Sequence, residues 1–184
     1  MLDSGFFLSL DERIEIVDDK NRVIGLRTRG DAYREGLKHR AANVLVLNEQ
    51  GELLVQKRAS NKAFYPDFWD LSCAEHVKPG ESFKKAAERG LLEELGIKGA
   101  QVRRVRPVHF QKNEFDNAKL GFMRDYEFVE LYETVWNGEI KLDEKEVGHA
   151  EFMSVGRVQE LVELGETTPW FVEEWNWLKK RSGL

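Results

Sequence analysis

The chain has 184 residues, of which 41% are hydrophobic and 33% charged, a length and apolar share that fit one domain spanning 1–184 with a core large enough to need no staples. Its net charge of -5 argues against a general polyanion binder, and so against nucleic acid as the partner. The longest apolar runs, FFLSL and ANVLVL, fall far short of the roughly 18 residues of a membrane-spanning helix.

RIEIVD and RVIGLRT alternate around DKN and predict a hairpin, with no charged-then-apolar leader before them. GDAYREGLKHR follows as a loop or a short helical turn. AANVLVLN and GELLVQKRA, separated by EQ, predict two buried strands joined by a tight turn. SNKAFYPDFWD carries aromatics and a proline without a clean period, and reads as a loop. DLSCAEHV is a short strand holding Cys73, the single cysteine, which cannot form an intramolecular disulfide. A reducing, cytoplasmic compartment is therefore expected. KPGE is a turn, and Ser82 is a plausible N-cap for a helix ending before Gly96. Downstream, AQVRRVRPVHF, RDYEFVELYETVW and HAEFMSV are strand-like, while GRVQELVEL and PWFVEEWNWLKKR read as helices, with Pro169 suited to a first turn. HFQKNEFDNAKLGFM carries no motif and is read as a loop that shapes a pocket. No repeat or linker marks a boundary, and strands interleaved with helices imply a mixed α/β sheet flanked by helices.

On the best-bounded helix, Phe83, Ala86, Ala87, Leu91 and Leu95 recur at three- and four-residue steps and form the packing face. Arg89, Glu93 and Glu94 lie off that stripe, and Arg89 can hold Glu93 one turn on. Paired carboxylates at the negative end of a helix repel, and a cation relieves them. Magnesium prefers such hard oxygen ligands and bridges to phosphates. A solvated helix face is the plainer alternative, and spacing alone leaves both open.

The segment CAEHVKPGESFKKAAERGLLEELGI, residues 73–97, resembles the Nudix box, G-x5-E-x7-R-E-U-x-E-E-x-G-U with U a bulky aliphatic. Glu81, Arg89, Leu91, Glu93, Glu94, Gly96 and Ile97 match; Glu75 replaces the opening glycine and Gly90 the glutamate after the arginine. The resemblance extends over residues 14–177 and is closest to the branch that includes isopentenyl-diphosphate isomerase, through KHRAANV, VQKRASNKAFYPDFWDLSCAEH and TTPWF. It implies an α/β/α sandwich around a mixed sheet. It also implies a metal held by His39, His76, Asp125 and Glu127, with Glu93 and Glu94 as further ligands and Glu81 in support. Mg2+ is the expected cation, with Mn2+ or another divalent ion compatible with a mixed nitrogen and oxygen set. Arg58, Lys62 and Trp170 match positions that face the substrate.

Two departures bear on the reaction. The isomerase's essential cysteine falls at Ala74, and Cys73, its neighbour on an extended strand, points to the opposite face. The isomerase's second upstream histidine falls at Ala32. Hydrolysis of a diphosphate asks only for a cation, a positioned water and a proton acceptor. The expected function is therefore divalent-metal-dependent hydrolysis of a diphosphate linkage in a nucleotide or other small molecule. Arg89 and Glu94 belong to its machinery, and Glu127 is the first candidate base ahead of Glu130, Glu144 and Glu146. The alternatives are an isomerase-type enzyme and a non-catalytic diphosphate-binding module.

Overall fold

The protein is described here from a computed structural model covering residues 10–182; of the FFLSL run at 6–10, only Leu10 lies within the described residues. In chain order the elements are β1 (Arg13–Val17), β2 (Val23–Thr28), α1 (Arg29–Glu35), β3 (Lys38–Leu47), β4 (Leu53–Arg58), β5 (Trp69–Asp70), β6 (Cys73–His76) and α2 (Phe83–Leu95). They continue as β7 (Arg103–Asn117), β8 (Gly121–Val135), β9 (Val147–Met153), α3 (Val155–Glu163) and α4 (Pro169–Ser182).

β1 and β2 form the expected antiparallel hairpin. GDAYREG resolves as a true helix, α1, because Thr28 caps its first turn by accepting from the Asp31 amide and Gly36 closes it at φ 65°. β3 then starts at Lys38 rather than Ala41, which brings His39 into the sheet.

β3 is the axis of the molecule. On one edge it runs parallel to β8 along its whole length, from Lys38 opposite Tyr126 to Leu47 opposite Val135. The other edge is divided. β4 pairs with it only at Leu47 and Leu53, and β6 takes Ala41 to Val44 in antiparallel register. The predicted β3–β4 hairpin is thus joined only beside its turn, because β6 takes up the edge that a longer ladder would need. β4 pairs instead with β9 and β5, and β7 closes the far side against β8. The segment read as a pocket loop is mostly ladder. β7 runs to Asn117, whose Oδ1 accepts from the Lys119 and Leu120 amides in a short turn before Gly121. Its polar side chains hid a strand whose order comes from backbone pairing with β8.

The sheet is covered on both faces, giving the expected α/β/α sandwich. Ala42, Val44 and Val46 of β3 pack with Cys73 against Ala86, Ala87, Leu91 and Leu95 of α2. On the opposite face Leu45, Val55 and Leu131 pack against Phe171 and Trp175 of α4 and Leu161 of α3. No helix among the described residues is long and apolar enough to cross a membrane.

Candidate functional site

Register assembles the site. The parallel ladder sets His39 opposite Glu127, and Asp125, two residues earlier on β8, shares that face. Across the other edge, His76 is opposite Ala41 and Ala74 opposite Asn43. His39, His76, Ala74, Asp125 and Glu127 therefore share one face, on the side of the sheet covered by α4. The four ligand-bearing residues each offer an atom within 4.8 Å of the others. His39 Nε2 lies 3.2 Å from Asp125 Oδ1 and 3.4 Å from Glu127 Oε1, and His76 Nε2 lies 3.4 Å from that same glutamate oxygen. The His39 ring is oriented by its Nδ1, 3.0 Å from the Leu37 carbonyl. α1 adds the Tyr33 hydroxyl, 3.1 Å from His76 Nε2, while Ala32 is fully buried.

Two of the buried donor atoms, His39 Nε2 and Asp125 Oδ1, make no properly aligned hydrogen bond despite their proximity. An imidazole nitrogen and a carboxylate oxygen left without partners, beside a second imidazole and a second carboxylate, fit a shared divalent cation. Electrostatics agree. Burial works to lower the His39 pKa, yet Asp125 and Glu127 outweigh it and carry it up to about 10. Burial, with Asp125 alongside, raises Glu127. His76 is held well below its ordinary value by burial, then by Arg29 and His39. The Arg29 guanidinium sits over the Tyr33 ring at 5.1 Å and the Phe64 ring at 5.8 Å.

Arg58, Trp170, Ala74, Glu75, His76, Asp125 and Glu127 line a cavity of about 50 Å³. Arg58 and Trp170 are both held by Asp70. Arg58 Nη1 donates to Asp70 Oδ2 at 2.8 Å, Trp170 Nε1 donates to Asp70 Oδ1 at 2.7 Å, and Thr168 Oγ1 donates to the same oxygen at 2.9 Å. The guanidinium lies 5.3 Å from the Trp170 ring centroid. Beside this cavity is a larger one of about 710 Å³, walled by Phe64, Tyr65, Phe68 and Phe115 and rimmed by Lys62 and Asp116. Phe64 and Phe115 border both. Lys62 is therefore in the neighbouring cavity, ion-paired with Glu146.

The box carboxylates lie on the other face of β6. Because side chains alternate, Cys73 and Glu75 point toward α2 as Ala74 and His76 point away. Arg89 organises this side. Its Nε and Nη2 donate to Glu81 at 3.0 and 2.9 Å, and Nη2 also donates to the His76 carbonyl at 2.7 Å. Nη1 contacts Glu75 and Glu93, each at 3.0 Å. Glu93 is half exposed and also near Lys78, at 3.6 Å. Glu94 turns inward, accepting from Gln56 Nε2 at 2.8 Å and from the Cys73 thiol at 3.4 Å. Burial, then the charge of Glu75, pushes its carboxyl up to about 8. Glu130 is occupied elsewhere, by Arg104 and the Tyr132 hydroxyl.

Gly90 has a physical reason. A Cβ there would lie 2.5 Å from Cys73 Sγ and 3.0 Å from Glu75 Cβ. Glu75 was absent from the sequence-derived site, as were Arg29, Tyr33 and Asp70. The available signal for Glu75 was a carboxylate standing where the box has glycine.

Comparison with known proteins places the chain in a family and agrees with its fold. The NUDIX domain family matches residues 37–171. An uncharacterized Nudix hydrolase of Listeria monocytogenes is 32% identical over 163 residues, which cover 87% of this chain and 90% of the relative. An isopentenyl-diphosphate Delta-isomerase of Burkholderia multivorans is 31% identical over 164 residues, covering 88% and 90%. Among solved structures, a Deinococcus radiodurans protein shares the fold with a TM-score of 0.67 at 21% identity, over 85% of this chain and 92% of that one.

Proposed function

The chain belongs to the Nudix family, an enzyme of the pyrophosphohydrolase class, and from that premise we propose that it hydrolyses a diphosphate linkage in a nucleotide or other small molecule with the help of a divalent cation. The observation that carries this reading is the convergence of His39, His76, Asp125 and Glu127, with a buried nitrogen and a buried oxygen left without aligned partners. These four residues would hold Mg2+ or Mn2+. When bound, the ion supplies positive charge that neutralises the diphosphate and makes phosphorus more electrophilic.

The remaining work belongs to the chain. Arg58, fixed by Asp70 and stacked beside Trp170 on the cavity wall, presents a guanidinium to phosphate oxygens. Glu127, raised by burial and by Asp125, takes the proton of the attacking water. The aromatic cavity that shares Phe64 and Phe115 with the site has room for the organic half of the substrate. Arg89 and Glu81 brace β6 against α2, and so position His76.

Isomerisation is disfavoured by one observation. The residue that faces the cavity is Ala74, whereas the Cys73 thiol faces α2 and Glu94. The test is a panel of nucleoside and prenyl diphosphates assayed with Mg2+ and Mn2+, on wild type and on Glu127→Gln. Cation-dependent release of a monophosphate or phosphate is expected, with kcat reduced about 100-fold or more in the variant. Solvent deuterium appearing in an isoprenoid diphosphate would establish the isomerase instead. Ligand-induced thermal stabilisation without turnover would establish a binding module.

A further inference from the structure

The two departures from the box pattern meet in space. The pattern has glycine at the place of Glu75 and glutamate at the place of Gly90. A Cβ on Gly90 would lie 3.0 Å from Glu75 Cβ and 3.3 Å from Glu75 Cγ. Read separately, one departure adds a carboxylate and the other removes one. Read together across this contact, they are an exchange.

We propose that Glu75 supplies from β6 the carboxylate that the box carries on its helix at the position of Gly90, and that it serves with Glu94 as a cation ligand on the helix side of the site. This inference rests on the proposed metal-dependent reaction. The exchange is sterically enforced, since the space a residue at 90 would fill is taken by Cys73 Sγ and the stem of Glu75. The carboxylate is held in place by Arg89 Nη1, 3.0 Å from its Oε2, and its side chain is only 17% exposed. Position separates it from its neighbours. Among the carboxylates around Arg89, Glu75 is the one carried by β6, between the cavity-facing Ala74 and His76, while its own carboxylate turns toward α2 and Arg89. Arg89 does not need Glu75 for charge balance alone, because Glu81 already engages the guanidinium through two of its nitrogens.

The experiment is a Mn2+ titration followed by electron paramagnetic resonance of the free ion, run beside diphosphate turnover and metal-free thermal melting. The proteins are wild type, Glu75→Gln, Cys73→Ala, and Cys73→Ala combined with Glu75→Gly and Gly90→Glu. Glu75→Gln keeps an acceptor for Arg89 but loses the charge. It is expected to melt within a few degrees of wild type while weakening Mn2+ binding about 10- to 100-fold. The exchange variant, with the Cys73 sulfur removed to make room, is expected to regain Mn2+ affinity close to that of Cys73→Ala. Wild-type Mn2+ binding in Glu75→Gln overturns the proposal whatever the exchange variant does, and so does a folded exchange variant that fails to regain affinity. If the exchange variant does not fold, Glu75→Gln decides alone. Absence of turnover in wild type would instead sink the hydrolase reading, while the Mn2+ titration would still report on Glu75.

Discussion

Gly90 and Cys73 are a matched pair. A helix-interior glycine costs about 1 kcal/mol relative to alanine, yet a methyl at this position would sit 2.5 Å from a fully buried sulfur. The clash outweighs the propensity. Gly90→Ala is expected to destabilise the protein by about 1–3 kcal/mol in chemical denaturation, with about 1 kcal/mol or more of that cost recovered in a Cys73→Ala background. Equal costs in the two backgrounds would show that the sulfur is not what excludes the side chain. At this scale the legible residues were those fixed by local spacing. Arg89 and Glu93 are one helical turn apart, and their 3.0 Å bond follows from the helix itself. Glu75 was legible only as a departure from the box pattern; its contact with Gly90 was not, because it joins a strand to a helix and no local period records it.

Asp70 links elements rather than residues. From the two-residue β5 it accepts from Arg58 of β4, from Thr168 just before α4, and from Trp170 within α4. It is fully buried with its charge balanced by Arg58. Asp70→Asn leaves that guanidinium without its counter-charge, and breaking such a buried pair costs about 3–5 kcal/mol. A loss below about 1 kcal/mol on denaturant unfolding would mean that the neutral bonds to Thr168 and Trp170 suffice. Most elements were legible where a period of two or an apolar helical stripe coincided with a cap, as at Ser82 and Gly96 around α2. Asp70 lay inside an aromatic segment read as loop, because β5 is too short to show alternation. The β7–β8 hairpin was longer than expected for a related reason. Its distal residues do alternate in burial, Gln111 and Asn113 facing in and Lys112 and Glu114 facing out, but the inward residues are polar, so the period does not show as hydropathy.

Across the whole molecule, β3 collects donors from opposite edges, His76 from β6 and Asp125 and Glu127 from β8, around its own His39. The sequence offered these four through family likeness rather than through pattern, since parallel pairing and an inserted short strand leave no local trace. Their charges link folding to pH. Burial opposes protonation of His39, but Asp125 and Glu127 prevail and raise its pKa from 6.5 to about 10. A pKa raised on folding favours the folded state below the unfolded value and ceases to do so above the folded one. The His39 contribution in the metal-free protein should therefore be full below pH 6.5 and decline as pH rises from there, to be lost above about 10. Denaturant midpoints compared with His39→Gln read this out: the gap between the two proteins narrows with rising pH, and a gap that widens contradicts the assignment.

The proposed divalent cation sits among His39, His76, Asp125 and Glu127. Electron spin echo envelope modulation of bound Mn2+ tests this placement most directly, because a coordinated imidazole nitrogen modulates the echo and a carboxylate oxygen does not. Nitrogen modulation from two imidazoles is expected in wild type, reduced in His76→Ala and in His39→Ala. Bound Mn2+ with no nitrogen modulation would contradict it, and would place the ion among the carboxylates of α2 alone.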